Sequence, residues 1–220
     1  MNKAPEQIHH KDPQFGHHLG LWYPLAWRIL ATHRYWSPSM WLPKDSALAI
    51  DIYIGIWWLI EILCITFSGS LLSLAKYFGL LLVLIPLFRL IDLMFVLLSI
   101  LVKGNYRRQG DWPSVNRVIL LVIFNALEIM VLFALIFYAL SILAPNIAST
   151  NPELKTFFEA LYFSFVTGTS LGYGIPNPVG WLARLLSISE ASYIILVVIA
   201  VISYITSEKR KSQPTEHKHN

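Results

Sequence analysis

The chain has 220 residues, of which 55% are hydrophobic and 14% are charged, and its formal net charge is +4 at pH 7. This apolar excess is typical of a membrane protein and excludes an ordinary soluble domain. The basic residues are dispersed at the boundaries of apolar runs and do not form one separate surface, so the positive charge does not indicate a nucleic-acid-binding protein.

Residues 1–45 are expected to form a cytoplasmic segment that ends in an aromatic stretch. That stretch, 21-LWYPLAWRILATHRYWSPSMWLPK-44, is too charged and too interrupted by proline to cross a membrane. Aromatic rings with interspersed cations are typical of a segment that lies at the headgroup level. The paired histidines before it indicate either an ordinary polar tail or a cytoplasmic response to pH or metal ions.

Two apolar runs follow, at residues 47–68 and 77–102. Each is long enough to cross a hydrocarbon core, which needs about 20 residues. We assign residues 46–103 to two accessory transmembrane helices and residues 104–116 to a cytoplasmic linker. The second run carries one arginine and lacks the cation at every third position that a voltage sensor requires, so steep voltage gating is not expected.

A third apolar run, residues 118–143, precedes a shorter apolar segment at residues 156–166, about half the length needed to cross. We expect a half-membrane helix there, capped by Thr150 or Asn151, whose C-terminal end directs partial negative charge toward the centre of the protein. The segment 167-TGTSLGYGIP-176 follows. Irregular backbone at membrane depth is tolerated only where it is buried in protein or lines an aqueous path.

The side chains and glycines of this segment suit a path for a cation. Gly172 and Gly174 allow backbone angles at which successive carbonyls turn to one side, and Thr169 and Ser170 add hydroxyls. Such oxygens replace the hydration shell of an ion without a fixed charge that would hold it too tightly. Tyr173 is expected to point away from the path, and the side chains expected to support the segment are Tyr162, Phe163, Thr167 and Glu190.

The longer segment 160-ALYFSFVTGTSLGYGIPNPVGWLARLL-186 resembles the pore helix, selectivity filter and start of the inner helix of the potassium channel family, in its bacterial two-helix form. The filter of that family commonly reads TVGYG, and SLGYG differs from it by two conservative changes. The resemblance covers about residues 117–206, which we take as the pore domain. It implies a filter composed of Thr169, Ser170, Leu171, Gly172, Tyr173 and Gly174. It further implies K⁺ sites at Ser170, Leu171, Gly172 and Tyr173.

Two positions depart from the pattern of that family. Ile175 stands where an aspartate that supports the filter is usual, which concerns the stability of the filter more than its choice of ion. Ile194 stands where many relatives have a hinge glycine in the inner helix.

The resemblance also implies a homotetramer, because one such segment supplies one wall of a ring of carbonyls. The fourth apolar run, residues 182–205, would then line an inner cavity, and residues 207–220 would form a cytoplasmic tail. Spacing on one helix face gives the cavity candidates Ile195, Val198, Ile202 and Thr206. Ordinary helix packing explains the same spacing equally well.

Ionisable side chains lie near mid-depth of the predicted spans, where charges normally face the bundle and pair with one another. The expected cluster comprises Glu61, Arg89, Asp92 and Glu128. We interpret it as a structural clamp that ties the accessory helices to the outer pore helix, with a gating switch as the alternative. Glu190 is expected to be a hydrogen-bonded support behind the filter rather than an ion site.

The sequence therefore predicts an all-α membrane protein, with four transmembrane helices plus a re-entrant pore helix and selectivity filter, assembled as a tetramer. Its predicted function is that of a potassium-selective channel; the alternatives are a weakly selective cation channel and a non-conducting regulatory subunit. Neither an enzyme nor a cofactor is expected, and K⁺ is the transported ion. The positions of Lys and Arg place both termini in the cytoplasm, in a multi-pass inner-membrane protein whose partners are membrane lipids and identical subunits.

Overall fold

The computed structural model describes residues 28, 47–74, 76–103, 115–172 and 174–212. The predictions for the N-terminal aromatic stretch and its histidines, for the linker up to residue 114, for Tyr173 and for the tail after residue 212 lie outside these residues.

The described chain is built mainly from helices. They are α1 (Ala47–Leu74), α2 (Lys76–Lys103), α3 (Val115–Leu143), α4 (Phe157–Thr169) and α5 (Trp181–Ser212). Helical backbone satisfies its own hydrogen bonds, which apolar surroundings require. The two strands, β1 (Thr150–Asn151) and β2 (Asn177–Pro178), form one short antiparallel pair.

Within the described ranges, four helices are long and apolar enough to cross a membrane. The qualifying segments are Leu48–Gly69, Gly79–Leu98, Ile119–Leu143 and Trp181–Ser203. The four predicted spans and the all-α fold class are therefore confirmed, and the chain is a multi-pass membrane protein. Helix α4 has only 13 residues, or about 20 Å at 1.5 Å per residue, so it is too short to cross.

Helix α3 lies at the centre of the bundle. Its side chains from Glu128 to Ala139 are almost all buried, because α1, α2, α4 and α5 all pack against it. Phe137 of α3 meets Phe163 of α4 edge to face, with ring centroids 4.8 Å apart, and Phe133 packs in the same way against Tyr193 of α5. Helix α3 is thus the element on which α1, α2, α4 and α5 are assembled.

A backbone strap joins the chain before α4 to the chain that precedes α5. In the strand pair, Thr150 opposes Pro178. Beside it, the N–H groups of Val179 and Gly180 both donate to the carbonyl of Ser149, at 2.9 and 3.0 Å. The strap therefore closes the loop that contains α4 and the glycine-rich segment.

Candidate functional site

Helix α4 starts with a complete capping box. The hydroxyl oxygen of Thr156 accepts from the N–H of Glu159 at 3.2 Å, and the carboxylate of Glu159 accepts from the N–H groups of Thr156 and Lys155. These backbone bonds, to Lys155 first, hold the pKa of Glu159 below its usual range. The prediction that Thr150 or Asn151 caps the helix is wrong, because both residues belong to β1 and the T-x-x-E pattern lies further along the chain.

Replacing Thr156 with Ala is expected to lower the free energy of unfolding by about 0.5–2 kcal/mol, because the N–H of Glu159 loses its acceptor. The measurement is the unfolding midpoint of the purified protein. Thr66→Ala is the control, since the Thr66 hydroxyl is exposed and only donates to Ile62 within α1. Because the folded pKa of Glu159 is lowered, its contribution is complete above the usual Glu value of about 4.3 and is lost as the pH falls below it. Glu159→Gln should remove that acid sensitivity, and an unchanged midpoint in Thr156→Ala would contradict the role of the cap.

The SLGYG segment, residues 170–174, leaves the C-terminal end of α4 through a left-handed turn. Ser170 has φ 56° and ψ 29°, and its N–H donates to Thr167 while that of Leu171 donates to Val166, both at 3.2 Å. Gly172 and Gly174 have φ values of 67° and 85°. Positive φ thus recurs at every second residue from 170 to 174. Left-handed residues at alternate positions turn successive carbonyls toward one side of the backbone. Glycine adopts this left-handed conformation without strain.

The described residues from Thr169 to Ile175 are exposed on the single chain. Leu171 and Ile175 are 49% and 63% exposed although they are apolar. The hydroxyl of Thr169 donates back to Phe165, at 2.5 Å.

A buried carboxyl packs against the C-terminal half of α4. Glu190 of α5 and Ser164 of α4 are both fully buried and hydrogen-bonded to each other, and the Ser164 oxygen also lies 2.8 Å from the carbonyl of Met130 on α3. One hydroxyl proton cannot serve both acceptors. The arrangement is satisfied when Glu190 is protonated and donates to Ser164, which in turn donates to Met130.

This carboxyl touches the last turn of α4 at Gly168. A Cβ on Gly168 would lie 3.4 Å from Glu190 Oε1 and 3.3 Å from Cε of Met130. Glu190 thus contacts the last turns of α4, which lead into the SLGYG segment. Its role as a support for that segment stays a prediction.

The other predicted support residues separate into two groups. Phe163 is 2% exposed and belongs to the core against α3, whereas Tyr162 is 47% exposed on another side of α4, and Thr167 is half-buried. Tyr173 lies outside the described residues, so its predicted wedge against Tyr162 and Phe163 stays a prediction.

Helix α5 has one buried face and one exposed face. The buried side chains include Ala183, Glu190, Tyr193, Val197 and Ala200. All four cavity candidates lie on the exposed face: Ile195, Val198 and Ile202 are 59%, 51% and 59% exposed, and Thr206 is also exposed. These side chains are therefore not used in packing within the chain.

The predicted charge cluster is assembled in the middle of the bundle. Arg89 of α2 donates through Nε to Glu128 of α3 and through Nη1 to Asp92 at 3.0 Å. Tyr53 of α1 donates to Asp92 at 2.8 Å, and Glu61 of α1 interacts with the carboxyl of Glu128. All four ionisable side chains are at least 98% buried. The structure thus brings together every member that the sequence suggested.

Two aromatic partners of the cluster, and a third aromatic residue beside it, were missed in the sequence. The guanidinium of Arg89 lies 5.0 Å from the ring of Trp57 and 5.1 Å from that of Tyr53, within the range of a cation–π interaction. The spacing of Tyr53, Trp57 and Glu61 at every fourth residue was the available signal. Beside the cluster, Tyr193 of α5 donates to the carbonyl of Leu90, so that α5 is bonded to α2 one residue from Arg89.

Part of the chain is similar to a known protein family. Residues 125–210 match the family described as "Ion channel", a segment that holds most of α3, all of α4, the SLGYG segment and nearly all of α5. Neither the curated proteins nor the solved structures gave a significant match to the chain.

Proposed function

We propose that the chain is a subunit of a potassium-selective channel, because residues 125–210 match the family described as "Ion channel" and two further apolar helices precede them. Four copies surround one pore, and the SLGYG segment of each copy supplies one wall of the selectivity filter.

The observation that carries the proposal is the recurrence of positive φ at Ser170, Gly172 and Gly174 in an exposed segment. Backbone carbonyls that face one side can replace the hydration shell of K⁺ with oxygen dipoles, while the absence of a carboxylate within the segment leaves the ion free to move on. The left-handed conformation costs a serine about 1–2 kcal/mol, which is acceptable where it serves a function.

Helix α4 supports cation binding by its direction. Its N-terminus is capped beside the strap, and its C-terminus leads directly into Ser170. The C-terminal end of a helix carries about half of a negative elementary charge, so α4 directs attractive potential toward the start of the filter. The half-membrane length of the helix is what brings this end to the interior instead of the far surface.

The exposed faces of the chain favour assembly into a ring. A carbonyl ring needs several copies of the segment, and each chain carries one SLGYG. The exposed side chains Ile195, Val198 and Ile202 lie on the face of α5 opposite its own bundle, as expected for a helix that lines a central cavity.

The accessory helices do not supply a voltage sensor in this proposal. Arg89 is held by two carboxylates and two aromatic rings, and it is 1% exposed. A charge fixed in this way does not move through the membrane field. We therefore propose that α1 and α2 clamp the pore domain, and we place both termini in the cytoplasm because Lys and Arg concentrate on that side of the spans.

The test is ion flux through the purified protein in liposomes. Vesicles loaded with K⁺ and diluted into Na⁺, and then the reverse, separate a potassium-selective pore from one that conducts both ions. We expect a flux driven by the K⁺ gradient only. Equal fluxes would favour the weakly selective cation channel, and the absence of flux in every condition would favour a non-conducting regulatory subunit.

Gly172→Ala is expected to reduce the K⁺ flux by about tenfold or more. At φ 67° an alanine is strained by about 1–2 kcal/mol in each chain, although its Cβ would meet only the Ser170 carbonyl, at 3.8 Å. The loss would therefore come from the backbone angle and not from crowding. Gly69→Ala is the matched control, because no atom lies within 4 Å of a Cβ at that helical position. A Gly172→Ala protein that conducts as well as Gly69→Ala would contradict the assignment of the filter.

A further inference from the structure

The buried charge cluster contains more carboxyl oxygens than donors. Glu128 Oε1 accepts from Arg89, but Glu128 Oε2 and both oxygens of Glu61 are fully buried without a hydrogen-bond donor among the described residues. Glu61 is 2% exposed and Glu128 is 0% exposed, and their carboxyls interact across the contact between α1 and α3. Unsatisfied carboxyl oxygens in a membrane interior are costly, so this contact calls for an additional donor.

The charges of the cluster do not balance when every carboxyl is ionised. Arg89 is the cation of the group, whereas Asp92, Glu128 and Glu61 would contribute three negative charges. One proton placed between Glu61 and Glu128 removes one of these charges. It also converts two repelling carboxylates into a hydrogen-bonded pair of acid and carboxylate, the arrangement that close carboxyls adopt elsewhere in proteins.

We propose that Glu61 and Glu128 form a binding site for one shared proton, and that this proton attaches helix α1 to the outer pore helix α3. The proposal concerns the accessory helices and holds whether or not the pore selects potassium.

The other titratable groups near Glu61 and Glu128 have partners of their own or are thiols, so the shared proton is assigned to these two carboxyls. On α2, Asp92 is held by Arg89 and by the hydroxyl of Tyr53 from α1. On α1 itself, Cys64 is a buried thiol one turn from Glu61. From α5, the hydroxyl of Tyr193 is occupied by the carbonyl of Leu90. Glu61 and Glu128 together would carry two negative charges, and the one cation that they meet among the described residues is Arg89, which binds Glu128. A proton shared by the two carboxyls would remove the second charge.

Helix α1 is the least buried of the four apolar helices, so the loss of one of its contacts is costly. Only 17% of its membrane window is buried, compared with 39% for α2 and 44% for α3. Among the described side chains of α1, the buried ones are Trp57, Glu61, Cys64 and Ser68. Loss of the shared proton would place two adjacent negative charges in the middle of that narrow stripe, and their repulsion would separate α1 from α3.

A groove is lined by residues of α1 and α3 on the N-terminal side of the proton site. This groove has a volume of about 470 Å³, and its lining includes the ion pair of Asp51 and Arg117 as well as Trp58 and Phe124. Trp58 and Phe124 lie three and four residues before Glu61 and Glu128, about one helical turn in each case. The groove therefore leads from the ion pair of Asp51 and Arg117 to within one turn of the proton site.

The first test is infrared spectroscopy of the full-length protein in lipid. A protonated carboxyl has its own C=O band. The Glu190→Gln substitution removes the band of the Glu190 acid. A carboxyl band that remains at neutral pH in this variant therefore reports the proton shared by Glu61 and Glu128. We expect this band to be present, to disappear when the sample is titrated to alkaline pH, and to be lost on adding Glu61→Gln. The absence of such a band in the Glu190→Gln protein, or its persistence with Glu61→Gln, would overturn the proposal.

The second test uses Cys64, the single cysteine of the chain, which is buried on α1 one turn from Glu61. A membrane-permeant thiol reagent labels it only when α1 separates from the bundle. In the wild-type protein, separation of α1 requires the release of one proton, whereas in Glu61→Gln it requires none. The labelling rate of the wild type should therefore gain an additional factor of about ten per pH unit over that of Glu61→Gln. Glu61→Gln keeps the shape and supplies its own N–H donor to Glu128, so it should stay folded. Equal pH dependence in the two proteins would overturn the proposal, and both readouts are independent of ion flux.

Discussion

The Arg89→Gln variant is expected to lose about 3–5 kcal/mol of its free energy of unfolding, the usual cost of removing one partner from a buried ion pair. Without the guanidinium, Asp92 and Glu128 keep their buried negative charges, and the rings of Tyr53 and Trp57 lose the cation that lies against them. The measurement is denaturant or thermal unfolding of the purified protein, together with its oligomeric size. Protein that survives should keep the ion selectivity of the wild type, because the partners of Arg89 lie on α1, α2 and α3, outside the SLGYG segment.

Arg117→Gln is the matched control for this experiment. Arg117 also pairs with an aspartate, Asp51, at 2.7 Å, but the two side chains are 31% and 53% exposed. Exposed pairs contribute about 0–1 kcal/mol, so this variant should unfold close to the wild type. A stable, fully assembled Arg89→Gln protein with altered opening would contradict the clamp and favour the gating switch.

The second large effect is expected for Gly180→Ala in the strap. A Cβ on Gly180 would lie 2.2 Å from the carbonyl oxygen of Ile147 and 2.8 Å from the nitrogen of Ser149. Both contacts are with backbone, which cannot move aside as the end of a side chain can. Overpacking of this kind costs about 1–3 kcal/mol or more, and relief requires the strap to open.

An open strap would release the chain between the SLGYG segment and α5. We therefore expect Gly180→Ala to lower the unfolding midpoint and to reduce K⁺ flux together, as measured on the same preparation in liposomes. Gly55→Ala is the control, because nothing lies within 4 Å of a Cβ at that helical position. Wild-type flux and midpoint in Gly180→Ala would show that the loop around Ile147 relaxes at little cost.

The spans could be predicted well because a membrane helix needs only an apolar run of sufficient length. The predicted run at 118–143 and the observed qualifying segment Ile119–Leu143 differ by one residue. The C-terminal end of α4 could not be predicted as well from the sequence. It continues past Val166 to Thr169, through a glycine, because Gly168 packs closely against Met130 and Glu190, and such tertiary contacts leave no local pattern.

The cap of α4 shows where two local signals compete. Thr150 and Asn151 are good capping residues, but they belong to the strand pair with residues 177–178. Their partners lie 28 and 26 residues further along the chain, and no local pattern predicts such a contact. The tyrosines in and beside the charge cluster were missed for a different reason. Tyr53 and Tyr193 stand in apolar runs where each looks like an ordinary packing residue, and only the assembled bundle shows that the hydroxyls bond Asp92 and Leu90.

The spacing of Arg89 and Asp92 also bears on how the protein is made. Because the two charges lie one turn apart on the same helix and pair at 3.0 Å, α2 carries its own counter-ion as it leaves the ribosome and enters the bilayer. Glu128 is synthesised 39 residues after Arg89, so it is not yet available at that stage. The internal pair lowers the cost of inserting α2 alone, and the later arrival of α3 then completes the coordination of the arginine. The order of synthesis thus matches the order in which the charges are compensated.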